Sequence, residues 1–150
     1  MSIREDIWEA ARSGDVVRLS ELILAKASVD INDDNMKTAL HHAAEYGQTA
    51  AVQLLIDFRA TLDSISSDDE ATPLHLATQK SHTAIVQALV DAKANPDVQD
   101  IGSSTPLHYA VTDNNCALAL VLLDAGASPD VKDLDGFTPL HHAARTDDPA

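Results

Sequence analysis

The sequence has very few cysteine and aromatic residues. Cys116 is the only cysteine among 150 residues, and aromatic side chains make up 3% of the chain. No internal disulfide can form, which favours a reducing intracellular setting: the cytoplasm first, with the nucleus or delivery into a host cell left open. With so few rings, alanine, leucine and valine must form the core, and such small side chains suit short helices that pack closely.

Long hydrophobic runs and basic residues are also scarce. No run of about 18 apolar residues occurs, and the N-terminus lacks the apolar core of a secretory signal, so we expect no membrane insertion. The net charge of −14 would repel phosphates, which argues against nucleic acid as a partner. The acidic surface fits either a soluble monomer or a protein partner with a basic surface.

One motif recurs along the chain. It has the form Thr-x-Leu-His-x-Ala and starts at residues 34, 33 and 33 apart, namely Thr38, Thr72, Thr105 and Thr138. Stepping back 33 residues from the copy that follows Thr38 gives a diverged first copy, in which Trp8 stands at the histidine position. The chain therefore divides into units of about 5–37, 38–71, 72–104 and 105–137, with a partial unit 138–150, all in one domain.

Each unit has the pattern of two short helices. Threonine is a good N-cap, and proline at the next position supplies the helical φ without needing a hydrogen-bonded N–H. The second half of each unit carries apolar residues at i, i+3 and i+4, for example Val86, Leu89 and Val90. Two such helices bury too little surface alone, so neighbouring units are predicted to stack into one continuous core.

The period and the motif Thr-Pro-Leu-His-x-Ala resemble the ankyrin repeat family over roughly residues 5–145. This resemblance implies an all-α solenoid of about five helix–turn–helix units, the last incomplete, with hairpin-like loops and a concave face. It implies a protein–protein interaction module or scaffold. Because the last unit stops at residue 150, we expect an N-terminal piece of a longer chain. The alternative function is the targeting arm of a longer enzyme, effector or channel whose chemistry lies beyond that residue.

The chain departs from the family pattern where glycine usually follows the second helix. Gly126 keeps it, whereas the equivalent positions are Lys26, Arg59 and Lys93. A residue with a Cβ in the left-handed conformation costs about 1 kcal/mol. Either a cation at the helix C-terminus offsets part of that cost, or the three residues form a basic column with a function. A second family glycine, near the loop tip, is kept at Gly136 and replaced in the other units by Met36, Glu70 and Ser103.

The resemblance places partner contacts on the first helices and at the loop tips. The predicted contacts on the first helices are His42, Glu45, Tyr46, Leu76, Lys80, Tyr109, Thr112 and Asp113. Those at the loop tips are Met36, Lys37, Glu70 and Phe137. Tyr46, Leu76 and Tyr109 are the predicted anchors, because large apolar and aromatic side chains dominate binding energy. We interpret positions that differ between copies as free of packing duty, meaning that their side chains are not needed to pack the fold. The alternative is that Leu76 and Tyr109 merely shield the helices.

Catalytic and metal chemistry find no support in the sequence. The motif histidines His41, His75, His108 and His141 are a whole repeat apart, too far to share one ion, and the resemblance gives them a structural role. Cys116 lies in an apolar run without a basic neighbour, and no phosphate loop or nucleophile motif occurs. We therefore predict no catalytic residue, no metal and no cofactor.

Asn32 carries the one modification signal in the sequence. Its context resembles that of ankyrin-repeat asparagines hydroxylated by a 2-oxoglutarate oxygenase. The alternative is a loop asparagine that hydrogen-bonds its own backbone.

Overall fold

The computed structural model describes the backbone of residues 3–146 and the side chains of residues 6–145. Within that range the chain forms nine α-helices and no β-strand, which confirms the predicted all-α fold. The helices are α1 (Ile3–Ser13), α2 (Val16–Leu24), α3 (Ala39–Glu45), α4 (Thr49–Asp57), α5 (Pro73–Gln79), α6 (Thr83–Asp91), α7 (Pro106–Thr112), α8 (Cys116–Asp124) and α9 (Pro139–Thr146).

The start of α5 shows how the motif sets a helix boundary. Thr72 has an extended backbone, with φ −88° and ψ 165°, and its hydroxyl oxygen accepts a hydrogen bond from the backbone N–H of His75. The Nδ1 atom of His75 in turn accepts the backbone N–H of Thr72, at 3.2 Å. Pro73 occupies the first helical position. Two of the free donors at the helix start are thereby satisfied, as in a capping box.

The helices form two layers. The first helices α1, α3, α5, α7 and α9 pack side by side in one layer, and the second helices α2, α4, α6 and α8 pack in the other. The core lies between the layers, where the motif leucine Leu74 and the second-helix leucine Leu89 are completely buried. Burial of a leucine side chain contributes about 1.5–3 kcal/mol, so the stacking of units supplies most of the stability.

The apolar pattern of α8 is buried only in part. Leu122 is fully buried, but Leu123 is 41% exposed, whereas its counterpart in the preceding unit, Val90, is 7% exposed. No second helix follows α9 within the described residues, so α8 lacks on that side the neighbour that α6 has in α8. Residues 147–150, on which the expectation of a truncated last unit rests, lie outside the described residues.

The backbone is left-handed at the positions where the sequence lacks the family glycine. Lys26, Arg59 and Lys93 have φ of 69°, 63° and 75°, against 93° for Gly126. The prediction of a left-handed turn without glycine is thus confirmed at all three sites. All three side chains are exposed, and both explanations, a helix-end cation and a functional basic column, remain open. The loop-tip residues Met36, Glu70 and Ser103 are left-handed as well, with φ of 59°, 54° and 55°.

Four hairpin-like loops project from the ends of the units. We call the loops 31–37, 64–71, 98–104 and 131–137 together the hairpin ridge. Each loop is closed by a backbone hydrogen bond across its tip, such as Asp100 N–H to the carbonyl of Ser104, at 3.0 Å. Consecutive tips are also tied to each other, for example by Leu134 N–H to the carbonyl of Gly102, at 2.9 Å. The loops therefore form one continuous edge rather than four independent projections.

Candidate partner-binding surface

The motif histidines link each first helix to the next hairpin. The Nε2 atoms of His41, His75 and His108 lie 3.1 Å from the backbone carbonyl oxygens of Ala71, Ser104 and Phe137, respectively. A carbonyl oxygen can only accept, so we assign the proton to Nε2, and Nδ1 accepts the N–H of the capping threonine. The structural role that the resemblance implied for these histidines is confirmed.

The same geometry keeps these histidines neutral. Burial lowers the pKa of His41 to about 4, and burial likewise lowers the pKa of His75 and of His108. A second proton would place an N–H at Nδ1, directly facing the N–H of the capping threonine. The link between units therefore requires the uncharged ring.

Trp8 takes the place of the histidine in the first unit. Its indole Nε1–H donates to the carbonyl oxygen of Ile31, at 2.9 Å. The ring N–H again reaches from a first helix to the following loop, although the acceptor lies earlier in that loop than in the other units. The sequence alignment identified the position of Trp8, but only the structure shows that the hydrogen bond survives the substitution.

The residue after each motif histidine pairs with the hairpin that precedes its helix. The Tyr109 hydroxyl donates to the Asp100 carboxylate, and His42 Nε2 lies 2.9 Å from Asp33 Oδ2. In the last unit, His142 Nε2 lies 2.6 Å from the corresponding Asp133 oxygen. In all three pairs the partners are nine residues apart, because the helix returns beneath its own hairpin.

The three aspartates also hold their loops closed. In each case Oδ1 accepts two backbone N–H groups of the tip; for Asp33 these are Asn35 and Lys37, at 2.9 and 2.8 Å. Burial alone would raise the pKa of Asp33, but the hydrogen bonds from the Lys37 backbone and the His42 ring lower it overall. Burial, together with the hydrogen bond and charge of Asp100, raises the pKa of Tyr109 to about 12. These contacts therefore stabilise the hairpin loops on the helices beneath them.

Leu76 is the apolar version of this pair. Its side chain is 4% exposed, and the corresponding hairpin residue is the buried Ser66 instead of an aspartate. Leu76 is therefore not an accessible anchor, and Tyr109, half-buried under its hairpin, is not a free one. The interpretation that variable positions are free of packing duty is wrong, because Leu76 is buried beneath its hairpin and Tyr109 is hydrogen-bonded to the aspartate of its own. The alternative, that both residues shield the helices, fits the structure.

Other predicted contacts remain at the surface. At the ends of the first helices, Tyr46 is 48% exposed, and the side chains of Lys80, Thr112 and Asp113 are exposed. The guanidinium of Arg12 lies 5.0 Å from the centre of the Tyr46 ring, a cation–π distance that holds this ring in place. Of the predicted tip contacts, Met36 is 48% exposed and Glu70 is exposed.

The remaining predicted contacts are half-buried and paired within the chain. Lys37 Nζ lies 3.1 Å from Glu45 Oε2, and the two side chains are 18% and 26% exposed. The Phe137 ring packs against the rings of His141 and His142. These residues border the exposed surface and help to fix its shape, but they offer little area of their own.

Asn32 and Cys116 are accessible to different degrees. Asn32 is half-buried in the first hairpin loop, and its Nδ2 lies 3.8 Å from Met36 Sδ. Cys116 is exposed at the first position of α8. Among the described residues, no three His, Cys, Asp or Glu side chains are grouped as metal ligands. None of the helices in the described range is long and apolar enough to cross a membrane.

The fold and this surface define a helical repeat protein, in which stacked helix pairs present a row of hairpins. Two family models match the chain: one for ankyrin repeats in three copies over residues 7–100, and one for ankyrin repeats in many copies over residues 89–143. The chain belongs to the ankyrin repeat family. Ankyrin repeats are generally protein–protein interaction modules and are typically non-catalytic. A comparison with curated proteins gave no significant match.

Proposed function

We propose that this chain is a non-catalytic interaction module that binds a protein partner on the first-helix face and the hairpin ridge. The observation that carries the proposal is that some candidate residues are bound within the fold and others are exposed. His42, Leu76 and Tyr109 are committed to the hairpins, whereas the helix ends and loop tips beside them are exposed.

The proposed contact surface is smaller than the sequence alone suggests. Its exposed members are Tyr46, Lys80, Thr112, Asp113, Met36 and Glu70. Tyr46 is the remaining aromatic anchor, since it combines a 48% exposed ring with the support of Arg12. His42, Glu45, Lys37 and Phe137 lie behind this surface and position it.

The geometry of the polar pairs in the hairpins supports a structural rather than a catalytic role for them. Asp33 and His42 form an acid–imidazole pair of the kind used in proton transfer. However, the carboxylate already accepts two backbone N–H groups and the ring, so the pair is engaged in closing its own hairpin. We therefore infer that the chain needs no metal or cofactor for its function.

The charge of the chain suggests the nature of the partner. A net charge of −14 favours a protein with a basic surface and disfavours nucleic acid. Self-repulsion at this charge favours a monomer, and the single cysteine favours an intracellular, mainly cytoplasmic setting.

Site-specific photo-crosslinking tests the proposed face. A benzophenone amino acid replaces Lys80 on the first-helix face or, as a matched control, Gln87, which is exposed on the second helix α6. Crosslinking in the native cell should give a discrete protein adduct from position 80 and none from position 87. Equal adducts from both positions, or an adduct from position 87 alone, would place the partner elsewhere.

Hydroxylation of Asn32 remains a separate proposal. Asn32 lies in the hairpin ridge beside the exposed Met36, so a modifying enzyme would have to approach the same surface as a partner. Mass spectrometry of the chain after co-expression with an asparagine hydroxylase should show a gain of one oxygen at Asn32. An unmodified residue under conditions that modify a control substrate would end the proposal.

A further inference from the structure

We propose that the hairpin ridge binds a basic protein segment that also carries apolar side chains. This inference rests on the proposed function and adds to it the apolar component of the contact, on the ridge and on the basic partner. Three features of the ridge carry it: a row of exposed apolar residues, a rigid backbone that joins them, and a concentration of negative charge around them.

Each hairpin exposes one large apolar side chain. The exposed fractions are 48%, 46%, 62% and 77% for Met36, Ile65, Ile101 and Leu134, respectively. The position of Ile101 and Leu134 is exposed in all four hairpins, and the other two units carry Asp34 and Ser67 there. Since a polar residue satisfies the fold at this position, packing does not explain the isoleucine and the leucine. A row of exposed apolar side chains with a polar surround is typical of a protein contact surface.

The ridge holds this row in a fixed arrangement. Three hydrogen bonds of 2.9 Å join consecutive tips: Ser67 N–H to Asn35 O, Ile101 N–H to Asp69 O, and Leu134 N–H to Gly102 O. The last of these places Leu134 beside the residue that follows Ile101. A partner would therefore meet a preorganised surface and lose less binding energy to the ordering of loops.

The charge of the ridge defines the partner that fits. Its four loops contain eight aspartate and glutamate residues against two lysines, a net charge of −6. The ammonium group of Lys37 is already paired with Glu45 at 3.1 Å, so Lys132 is the one other cation of the ridge. Exposed acids flank the apolar row at Asp34, Asp68, Glu70 and Asp135. Acidic peptides and anionic membranes would be repelled. A segment with lysine or arginine beside apolar side chains would contact both the acidic and the apolar residues of the ridge.

Three defined peptides and two matched pairs of variants test this inference. The probes are short fluorescent peptides of alternating leucine and lysine, serine and lysine, and leucine and glutamate, and fluorescence anisotropy measures each dissociation constant at low and at physiological salt. The variant Ile101→Ser/Leu134→Ser removes the apolar row of the last two hairpins. Its control, Val17→Ser/Leu24→Ser, removes side chains that are 66% and 72% exposed on α2. Asp68→Asn/Glu70→Gln removes ridge charge, and Asp57→Asn/Asp91→Asn removes the same charge from the second helices.

The expected result is selective binding of the leucine–lysine peptide. We expect the serine–lysine peptide to bind the wild type about tenfold more weakly and the leucine–glutamate peptide not to bind. Both ridge variants should bind the leucine–lysine peptide about tenfold more weakly, and the α2 and second-helix controls should bind it as the wild type does. Equal losses in the ridge variants and their controls, or unchanged binding by Ile101→Ser/Leu134→Ser, would overturn the inference. If position 80 crosslinks a protein but the ridge variants bind normally, the ridge inference fails and the proposed function holds for the first-helix face alone. If neither experiment detects binding, both fail.

Discussion

The third unit and the last unit place the same motif leucine in opposite environments. Leu74 of the third unit is completely buried, whereas Leu140, its counterpart in the last unit, is 74% exposed. Both lie one residue after the proline that starts a helix, and both helices form. The difference is in the neighbours: α5 lies between α3 and α7 and packs on α6, whereas α9 packs on α7 without a second helix among the described residues.

This comparison separates local structure from burial. The threonine, the proline and the histidine determine where a helix starts, because their hydrogen bonds lie within four residues. The free energy that a leucine contributes depends on the units stacked on either side of it. A repeated motif therefore predicts conformation in every copy but equal stability only in the interior copies.

The largest expected effect tests the comparison directly. Leu74→Ala should lower the free energy of unfolding by about 3 kcal/mol, since it leaves a cavity between two packed layers. Leu140→Ala should change it by less than about 0.5 kcal/mol, because water already contacts that side chain. Urea denaturation followed by circular dichroism measures both. Equal losses in the two variants would show that the ends of the stack are as tightly packed as its centre.

Acid should weaken the interior of the stack through its histidines. The pKa of His41 falls from 6.5 to about 4 on folding, so the unfolded chain binds more protons between these values. The contribution of His41 to the free energy of unfolding is fully present above pH 6.5. It should fall by on the order of 3 kcal/mol as the pH drops towards 4. The measurement is the urea midpoint across this range, for the wild type and for His41→Gln.

His41→Gln should be less stable than the wild type near neutral pH, and the difference should shrink as the pH falls. The matched variant His141→Gln changes an exposed copy of the same residue and should cost less near neutral pH. A constant difference between wild type and His41→Gln at every pH would contradict the linkage. The aspartates act in a separate window: the lowered pKa values of Asp33 and Asp133 make their contribution disappear only as the pH falls below 3.8.

The hairpin pairs extend the comparison to residues outside the core. Tyr109→Phe removes the donor to Asp100, a carboxylate that is 7% exposed, and should cost about 1–2 kcal/mol because a buried charge loses a hydrogen bond. Tyr46→Phe makes the same chemical change on a ring that is 48% exposed and should be nearly neutral. Thermal denaturation compares the two variants. A neutral Tyr109→Phe would return this residue to the list of free contacts.

The smallest expected effect concerns the left-handed turns. Lys93→Gly should stabilise the chain by about 0.5–1 kcal/mol, because glycine adopts a φ of 75° without steric cost. Gly126→Ala is the matched opposite: nothing lies within 4 Å of the added Cβ, so its expected loss of about 1 kcal/mol reflects backbone conformation alone. Crosslinking of the native partner from position 80 should be unchanged in Lys93→Gly if the cation only interacts with the helix end. A weaker adduct would favour a functional basic column.

The repeat period and the starts of the helices follow from the sequence alone, because they depend on hydrogen bonds and steric limits within a few residues. The resemblance to the ankyrin repeat family implied the left-handed turns at Lys26, Arg59 and Lys93 and the structural role of the motif histidines. Which variable residues are available to a partner depends on the tertiary structure. Leu76 and Tyr109 differ between units as contact residues would, yet each lies under its own hairpin, Leu76 buried and Tyr109 bonded to Asp100. That pairing depends on how a loop folds back over the helix nine or ten residues later. The same holds for Leu74 and Leu140, since burial depends on the neighbouring units and not on the motif.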